Sequence, residues 1–314
     1  MIYNGECLTD SLMSGMPASS YKNIRLLTLN LFLRPPLVKN NQSDHKDARV
    51  KYFCQNIIDN YDVICLQEVF STMNSRRSQI ISSAISKGFL YSTHAPAPGF
   101  FRPQVIDGGL LILSRFPIVE TDFLGFGNGL FPDLMSYKGI LHAKLQIGSK
   151  NLHIFTLHSQ ATYPSNSQET LNLYKEARKE QLKTSVAFIK SKTQSNNDSF
   201  FIAGDFNIDA FSDEYSSILE AFQELEVIDI IKSVHGKSFS TYGIRLPSGE
   251  PEETVLSHRN ENTRDVAIDY IFLSKRGDSA VFPECTNVEP FYISNHPFTR
   301  ISDHYGVQTT ISIT

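Results

Sequence analysis

Three stretches of this chain join an apolar run to groups that bind metals and move protons. Gln67-Glu68-Val69 follows Val63-Ile64-Cys65-Leu66, and Gly204-Asp205-Phe206-Asn207 follows Phe200-Phe201-Ile202-Ala203. Ser302-Asp303-His304 stands just before the closing run at 307–313. Apolar runs of this length read as buried strands, so carboxylate, amide and imidazole groups sit at strand ends, where a rigid sheet makes side chains converge. Asn30 holds the same place after the strand at 24–29. Glu68 and Asn30 thus offer hard oxygens at neighbouring strand ends, the ligand chemistry that Mg²⁺ prefers. His304 can take a proton from water near neutral pH, and a carboxylate beside it raises its basicity. Asp269, inside the strand at 266–273, and Asp303 are available for two jobs, orienting that ring and approaching a metal. Asp205 and Asn207 lie on one side of an extended segment. His158, delivered by the strand at 152–157, can donate to a phosphate oxygen or to a leaving group. Carboxylates, amides and histidines gathered in this way point to metal-assisted attack on a phosphoester.

The intervening elements have to bring these groups together. After Asp47, the residues Val50, Phe53, Cys54, Ile57 and Ile58 form one helical face. A polar helix is expected near 72–87, ending at Gly88, and the longest helix at 167–192, with Leu171, Tyr174, Leu182 and Ile189 at helical spacing. Further strands are expected at 108–114, 118–124 and 139–147. Runs of strands separated by two long helices lack the rhythm of a doubly wound parallel sheet. They fit mixed sheets packed together with helices outside. No repeat or low-complexity linker divides the chain, so one domain is expected from residue 24 to 314, preceded by a flexible arm at 1–23.

Composition narrows the function further. A net charge of −4 over 314 residues argues against a general nucleic-acid binder. Of four cysteines, none shows C-x-x-C spacing, so no zinc site is expected; Cys54 and Cys65 read as buried free thiols. Nothing in this usage requires an oxidising compartment. Residues 1–23 lack the basic and apolar regions of a signal peptide, and no window approaches the ~18 apolar residues of a membrane span. A cytoplasmic address, or a peripheral one at a membrane, is the expectation.

Taken in order, Leu29-Asn30, Gln67-Glu68-Val69, Gly109-Leu110-Leu111-Ile112-Leu113-Ser114-Arg115-Phe116-Pro117-Ile118, Gly204-Asp205-Phe206-Asn207, Ile268-Asp269-Tyr270 and Ser302-Asp303-His304 resemble the motifs of the endonuclease/exonuclease/phosphatase superfamily, also called deoxyribonuclease-I-like. The resemblance covers roughly residues 24–314. It implies a four-layer α/β sandwich, with two mixed β-sheets face to face and helices outside, and dependence on Mg²⁺ (or Mn²⁺ in its place). Within the superfamily the chain looks most like the neutral sphingomyelinases. Pro132-Asp133-Leu134-Met135-Ser136-Tyr137-Lys138-Gly139 is similar to their Asp…Ser-x-Lys-Gly segment. Thr156-Leu157-His158-Ser159-Gln160-Ala161 is similar to their Thr-His-Leu-Gln-Ala, with the order around His158 altered.

The resemblance implies hydrolysis of sphingomyelin to ceramide and phosphocholine. Glu68, Asn30 and Asp303 would serve as metal ligands, and His304, oriented by Asp269, as the base. Asp205 and Asn207 would position the water, while His158 and Lys138 would stabilise charge, Lys138 by meeting a phosphate oxygen directly. The C-terminal spans of some animal relatives and the long leader of bacterial toxins are not expected here. A phospholipid at a membrane surface is the expected partner. Attachment would need exposed aromatics, and Phe100-Phe101, Phe126, Phe131 and the stretch from Phe291-Tyr292 to Phe298 lie in Gly/Pro-containing loops, where most such residues pack on the domain's own core. The alternatives on the same fold are a nuclease and a phosphoinositide phosphatase. Absence of a Lys/Arg cluster weighs against the first, and absence of a Trp-Cys-Asp-Arg segment against the second.

Overall fold

The structure is a computed structural model, described for residues 22–313 apart from 37, 40–42, 128, 164–166, 194–197, 244–247, 249–251, 253–254, 257–264 and 276–280. The expected arm at 1–23 therefore lies almost wholly outside the described residues. In chain order the elements are β1 (Lys22–Leu33), α1 (Lys46–Asn56), β2 (Val63–Val69), α2 (Arg76–Ser86), β3 (Tyr91–His94), β4 (Leu111–Ser114), β5 (Ile118–Gly125), β6 (Gly139–Ile147), β7 (Lys150–His158) and α3 (Gln168–Thr193). There follow β8 (Ser199–Asp205), α4 (Tyr215–Phe222), β9 (Val227–Asp229), α5 (Ile230–His235), β10 (Asp269–Ser274), β11 (Val281–Glu289) and β12 (Gly306–Ile313). They build two mixed sheets of six strands, in the orders β11-β12-β1-β2-β4-β3 and β5-β6-β7-β8-β10-β9. The four-layer sandwich is the observed architecture.

Strand periodicity explains both the layers and the site. Successive side chains of a strand point to opposite faces. On β1, Ile24 and Leu26 enter the core between the sheets, whereas Leu27, Leu29, Leu31 and Leu33 face outward beneath α1. On β8, Phe201 and Ala203 point inward, while Phe200 and Ile202 pack under α3 and α4. Continuing each inward series by one or two positions reaches Asn30 on β1, Gln67 on β2, His158 on β7, Asp205 on β8 and Asp269 on β10. The apolar core between the sheets therefore ends in a polar floor, and the candidate site is that floor. Gln67 ties the layers across it, its Nε2 donating to Thr28 Oγ1 at 3.1 Å and to Thr156 Oγ1 of the other sheet at 2.9 Å.

Several elements went unforeseen: β3, β9, β11, α4 and α5 are all short or polar at their surface. Cys54 and Cys65 are buried and free as expected, and Cys285 is disulfide-bonded, a pairing the cysteine spacing did not announce. No helix among the described residues is long and apolar enough to cross a membrane.

Candidate active site

Register brings the carboxylates into line. β7 and β8 run parallel with His158 opposite Asp205, and β8 and β10 run antiparallel with Asp269 opposite Asp205. In the other sheet, Asn30 on β1 is paired with Gln67 on β2. Two backbone devices aim the strand ends. Glu68 adopts the left-handed region at φ 56°, which turns its carboxylate out of the strand. Gly109 permits this, because a Cβ there would stand 3.0 Å from the Glu68 Cα and its own φ is +67°. Its carbonyl accepts the Val69 N–H at 2.8 Å, and Asp107 in turn accepts the Gly109 N–H at 2.9 Å. Gly204 is the second device, at φ +136°, where a Cβ would lie 2.1 Å from the Leu157 carbonyl oxygen.

The imidazole of His304 is gripped from one side. Its Nδ1 lies 2.9 Å from Asp269 Oδ2, and the same oxygen accepts the Thr241 hydroxyl at 2.7 Å. The other ring nitrogen, Nε2, faces Asp205 Oδ2 at 3.9 Å. Ser302 fixes the turn: its hydroxyl donates to the Asn30 carbonyl at 2.6 Å and accepts the His304 N–H at 3.2 Å. Burial opposes charging the ring, but the carboxylates of Asp269, Asp205 and Asp303 outweigh it and raise its pKa to about 10. Burial raises Asp205 to about 6, helped by the neighbouring charge of Asp269, and burial likewise raises Asp303 to about 6. Taken alone, these protein groups keep His304 protonated near neutral pH.

On the opposite flank His158 Nε2 lies 3.6 Å from the same Asp205 oxygen and 3.0 Å from Lys138 Nζ. Lys138 spends its other hydrogens on Asp133 Oδ2 at 2.7 Å and the Ser159 carbonyl at 2.9 Å. An ammonium has three hydrogens, so none is left to meet a phosphate, and the expected direct contact gives way to an indirect one through His158. With Nε2 accepting from Lys138, the ring hydrogen belongs on Nδ1, which is buried and has no partner among the described residues. Burial and the charges of Lys138 and His304 hold His158 well below the usual imidazole range, so the ring is neutral. Asn207 completes this flank, its Nδ2 donating to the Ser159 carbonyl at 3.1 Å.

Glu68 supplies the test of whether a metal fits. Its Oε1 accepts the Asn30 amide at 3.2 Å, whereas Oε2 is buried and has no partner among the described residues. A buried oxygen left in that state is costly, and a cation would relieve it. Asn30 is turned differently from the expectation. Its Oδ1 accepts the Phe32 N–H at 3.0 Å, and its Nδ2 joins Glu68 to Asp205, the latter at 3.0 Å. It therefore holds the two carboxylates together, and the oxygen expected to serve as a metal ligand is engaged by the Phe32 N–H. Asp303 Oδ1 accepts from the Ser302 hydroxyl at 3.3 Å, and its carboxyl feels the charge of His304 first and then those of Glu68, Arg34 and Arg49. Asp205, Asp269 and His304 also bring ligand atoms within 4.8 Å of one another. His304 and Asp269 there already satisfy each other, as a proton-transfer pair does, so Glu68 is the better anchor for an ion.

Thr241, Asp107 and Arg49 were not singled out in the sequence, and Ser302 was named only as part of its motif. Arg49 is fully buried and donates to the carbonyls of Leu31, Phe32 and Ile301, tying α1 to the ends that carry Asn30 and Asp303. Only its place on a helix face otherwise lined by apolar residues could have marked it.

The sequence model described as the Endonuclease/Exonuclease/phosphatase family matches residues 27–304. The chain belongs to that family. All of the site residues lie within the match. Among curated proteins, a sphingomyelinase of Dictyostelium discoideum is 29% identical, the alignment covering 90% of this chain and 77% of that one. Among solved structures, a Staphylococcus aureus beta toxin mutant with bound magnesium ions superposes with a TM-score of 0.69 at 20% identity, over 92% of this chain and 99% of that one. D. rerio TDP2 in complex with a single-strand DNA product gives 0.65 at 16% identity, over 92% and 98%. Both likenesses confirm the fold of the family.

Proposed function

We propose that this chain is a divalent-metal-dependent phosphodiesterase that hydrolyses sphingomyelin to ceramide and phosphocholine, with residues 24–314 acting as one catalytic domain. The observation that carries the chemistry is a single carboxylate, Asp205, set between two imidazoles of opposite character, at 3.9 Å from His304 and 3.6 Å from His158. The lipid substrate is supported by the sphingomyelinase at 29% identity and by the Asp133–Lys138 segment. Glu68, with Asp303, would hold Mg²⁺ or Mn²⁺, and Asn30 fixes the Glu68 carboxylate. Such an ion supplies Lewis-acid polarisation of the phosphoryl oxygen, and its charge counters the surrounding carboxylates, returning the His304 ring toward the neutral state.

His304, steered by Asp269 and Thr241, accepts the proton of the attacking water at Nε2. Asp205 and Asn207 orient that water and the phosphoryl group. His158 stays neutral and donates a hydrogen bond as negative charge builds. Lys138 keeps His158 in that state by donating to Nε2.

The reading is tested by offering sphingomyelin, a lysophospholipid, a phosphoinositide and plasmid DNA in parallel with Mg²⁺. Phosphocholine release from sphingomyelin is the expected result. Nicked plasmid without release from any choline lipid would place the chemistry on nucleic acid.

A further inference from the structure

Two segments leave apolar side chains in solvent beside the Lys138–His158 flank. Between β3 and β4, Phe100 and Phe101 are 96% and 97% exposed, their rings edge to face at 5.4 Å, and Val105 is 60% exposed. Before β6, Phe131 is 74% exposed, with Leu134 and Met135 partly so. Of the other loop aromatics, Phe126 and Phe298 are buried in the core, and Tyr292, 61% exposed, lies on a separate loop with its hydroxyl donating to the Glu252 carboxylate.

Backbone hydrogen bonds join the two segments. The N–H groups of Val105 and Ile106 donate to the Met135 carbonyl at 3.0 and 3.1 Å, and that of Tyr137 to the Ile106 carbonyl at 2.9 Å. The second segment also carries Asp133, whose carboxylate holds Lys138 and through it His158. The exposed rings and the polar floor are therefore two ends of one connected piece of structure.

Charge and shape indicate the occupant. Across residues 95–106 and 126–137 the only acid is Asp133, which is buried and paired with Lys138, although the whole chain carries −4. Arg102 follows the two phenylalanines, exposed, with its guanidinium 4.6 Å from the Tyr137 ring centroid. An acid-free rim with a cation beside protruding rings suits a phosphate layer above hydrocarbon. A pair of rings at a projecting tip enters a deformable lipid surface more readily than it matches a rigid protein face.

We propose that Phe100 and Phe101, backed by Val105, Phe131, Leu134 and Met135, dock the protein onto a choline-phospholipid bilayer, with Arg102 among the phosphates. This rests on the phosphodiesterase reading of the site, since docking here sets the His158 flank against the headgroup layer.

The chain contains no Trp, so Phe101→Trp introduces a lone tryptophan there, which can be excited selectively over the tyrosines. Its emission should move to shorter wavelength when vesicles of phosphatidylcholine and sphingomyelin are added in Mg²⁺. Emission identical with and without vesicles would overturn the proposal. In parallel, Phe100→Ser/Phe101→Ser should lose at least ~10-fold in vesicle co-sedimentation. Its kcat/KM on a short-chain, monomeric sphingomyelin should stay within ~2-fold of the parent. Wild-type co-sedimentation by this double variant would also overturn the proposal, leaving the rings for a protein partner. A Phe-dependent vesicle interaction without phosphocholine release from either substrate would uphold the surface and reject the catalytic reading instead.

Discussion

In the proposed mechanism the chemistry turns on Asp205, because its two imidazole neighbours are kept in opposite states. His304 is drawn toward the charged form by Asp269, Asp205 and Asp303, while His158 is kept neutral by burial and by Lys138. The two rings are therefore not interchangeable. His304→Ala should reduce turnover by at least ~10²-fold, the scale of a positioned base, with Mg²⁺ affinity retained. Persistence of the acidic limb of the pH–rate profile in that variant would assign the base elsewhere. Lys138 belongs to the same residue-scale logic but acts indirectly. Lys138→Met leaves the buried Asp133 without its ion-pair partner, so a loss of stability of ~3–5 kcal/mol is expected together with slower turnover. Denaturant titration checks this: an unchanged midpoint would mean that Lys138 is not the internal tie its contacts describe.

At the scale of elements, the decisive features are the positions where a strand stops being regular. Glu68 is useful because β2 bends into the left-handed region beside Gly109. Gly109→Ala puts a methyl group 3.0 Å from the Glu68 Cα and strains a positive φ. The cost should be ~1–3 kcal/mol of stability, with weaker Mg²⁺ binding measured by calorimetry. Wild-type affinity in a folded Gly109→Ala protein would show that this turn does not aim the carboxylate. Here the sequence is partly readable. Apolar runs announce β1, β2, β7, β8 and β10, because strands buried on both faces carry little polar interruption. Glu68, Asp205 and His304 are visible at the ends of such runs. Thr241, Ser302 and Asp107 are not, since a hydroxyl or acid in a loop gains its meaning only from a partner distant in sequence. Lys138 was legible as a site residue but not in its orientation, which depends on three contacts made across the fold.

The whole molecule adds a pH dependence unconnected with the site. On the outer face of the second sheet His142 and His153 are buried against each other, Nε2 to Nδ1 at 2.9 Å, and His142 stacks on Phe155. Burial, with the charge of His153, lowers the His142 pKa to about 3. The unfolded ring has a pKa of ~6.5, so unfolding takes up a proton at any pH between the two values. The contribution of this ring to stability is thus intact above ~pH 6.5 and is lost progressively toward pH 3, reaching on the order of a few kcal/mol. His142→Phe should flatten the acid limb of a stability-against-pH curve relative to wild type. Parallel curves would contradict a neutral buried ring.

Glu68 is the proposed anchor of the metal-dependent phosphodiesterase site, because its buried Oε2 has no partner among the described residues. The most direct measurement is phosphocholine release from sphingomyelin vesicles as a function of Mg²⁺, for the wild-type chain and for folded Glu68→Gln. A metal anchored on Glu68 predicts release that rises with Mg²⁺, disappears on chelation and is abolished in Glu68→Gln while the unfolding midpoint holds. Release that survives chelation, or that continues undiminished in Glu68→Gln, would contradict it.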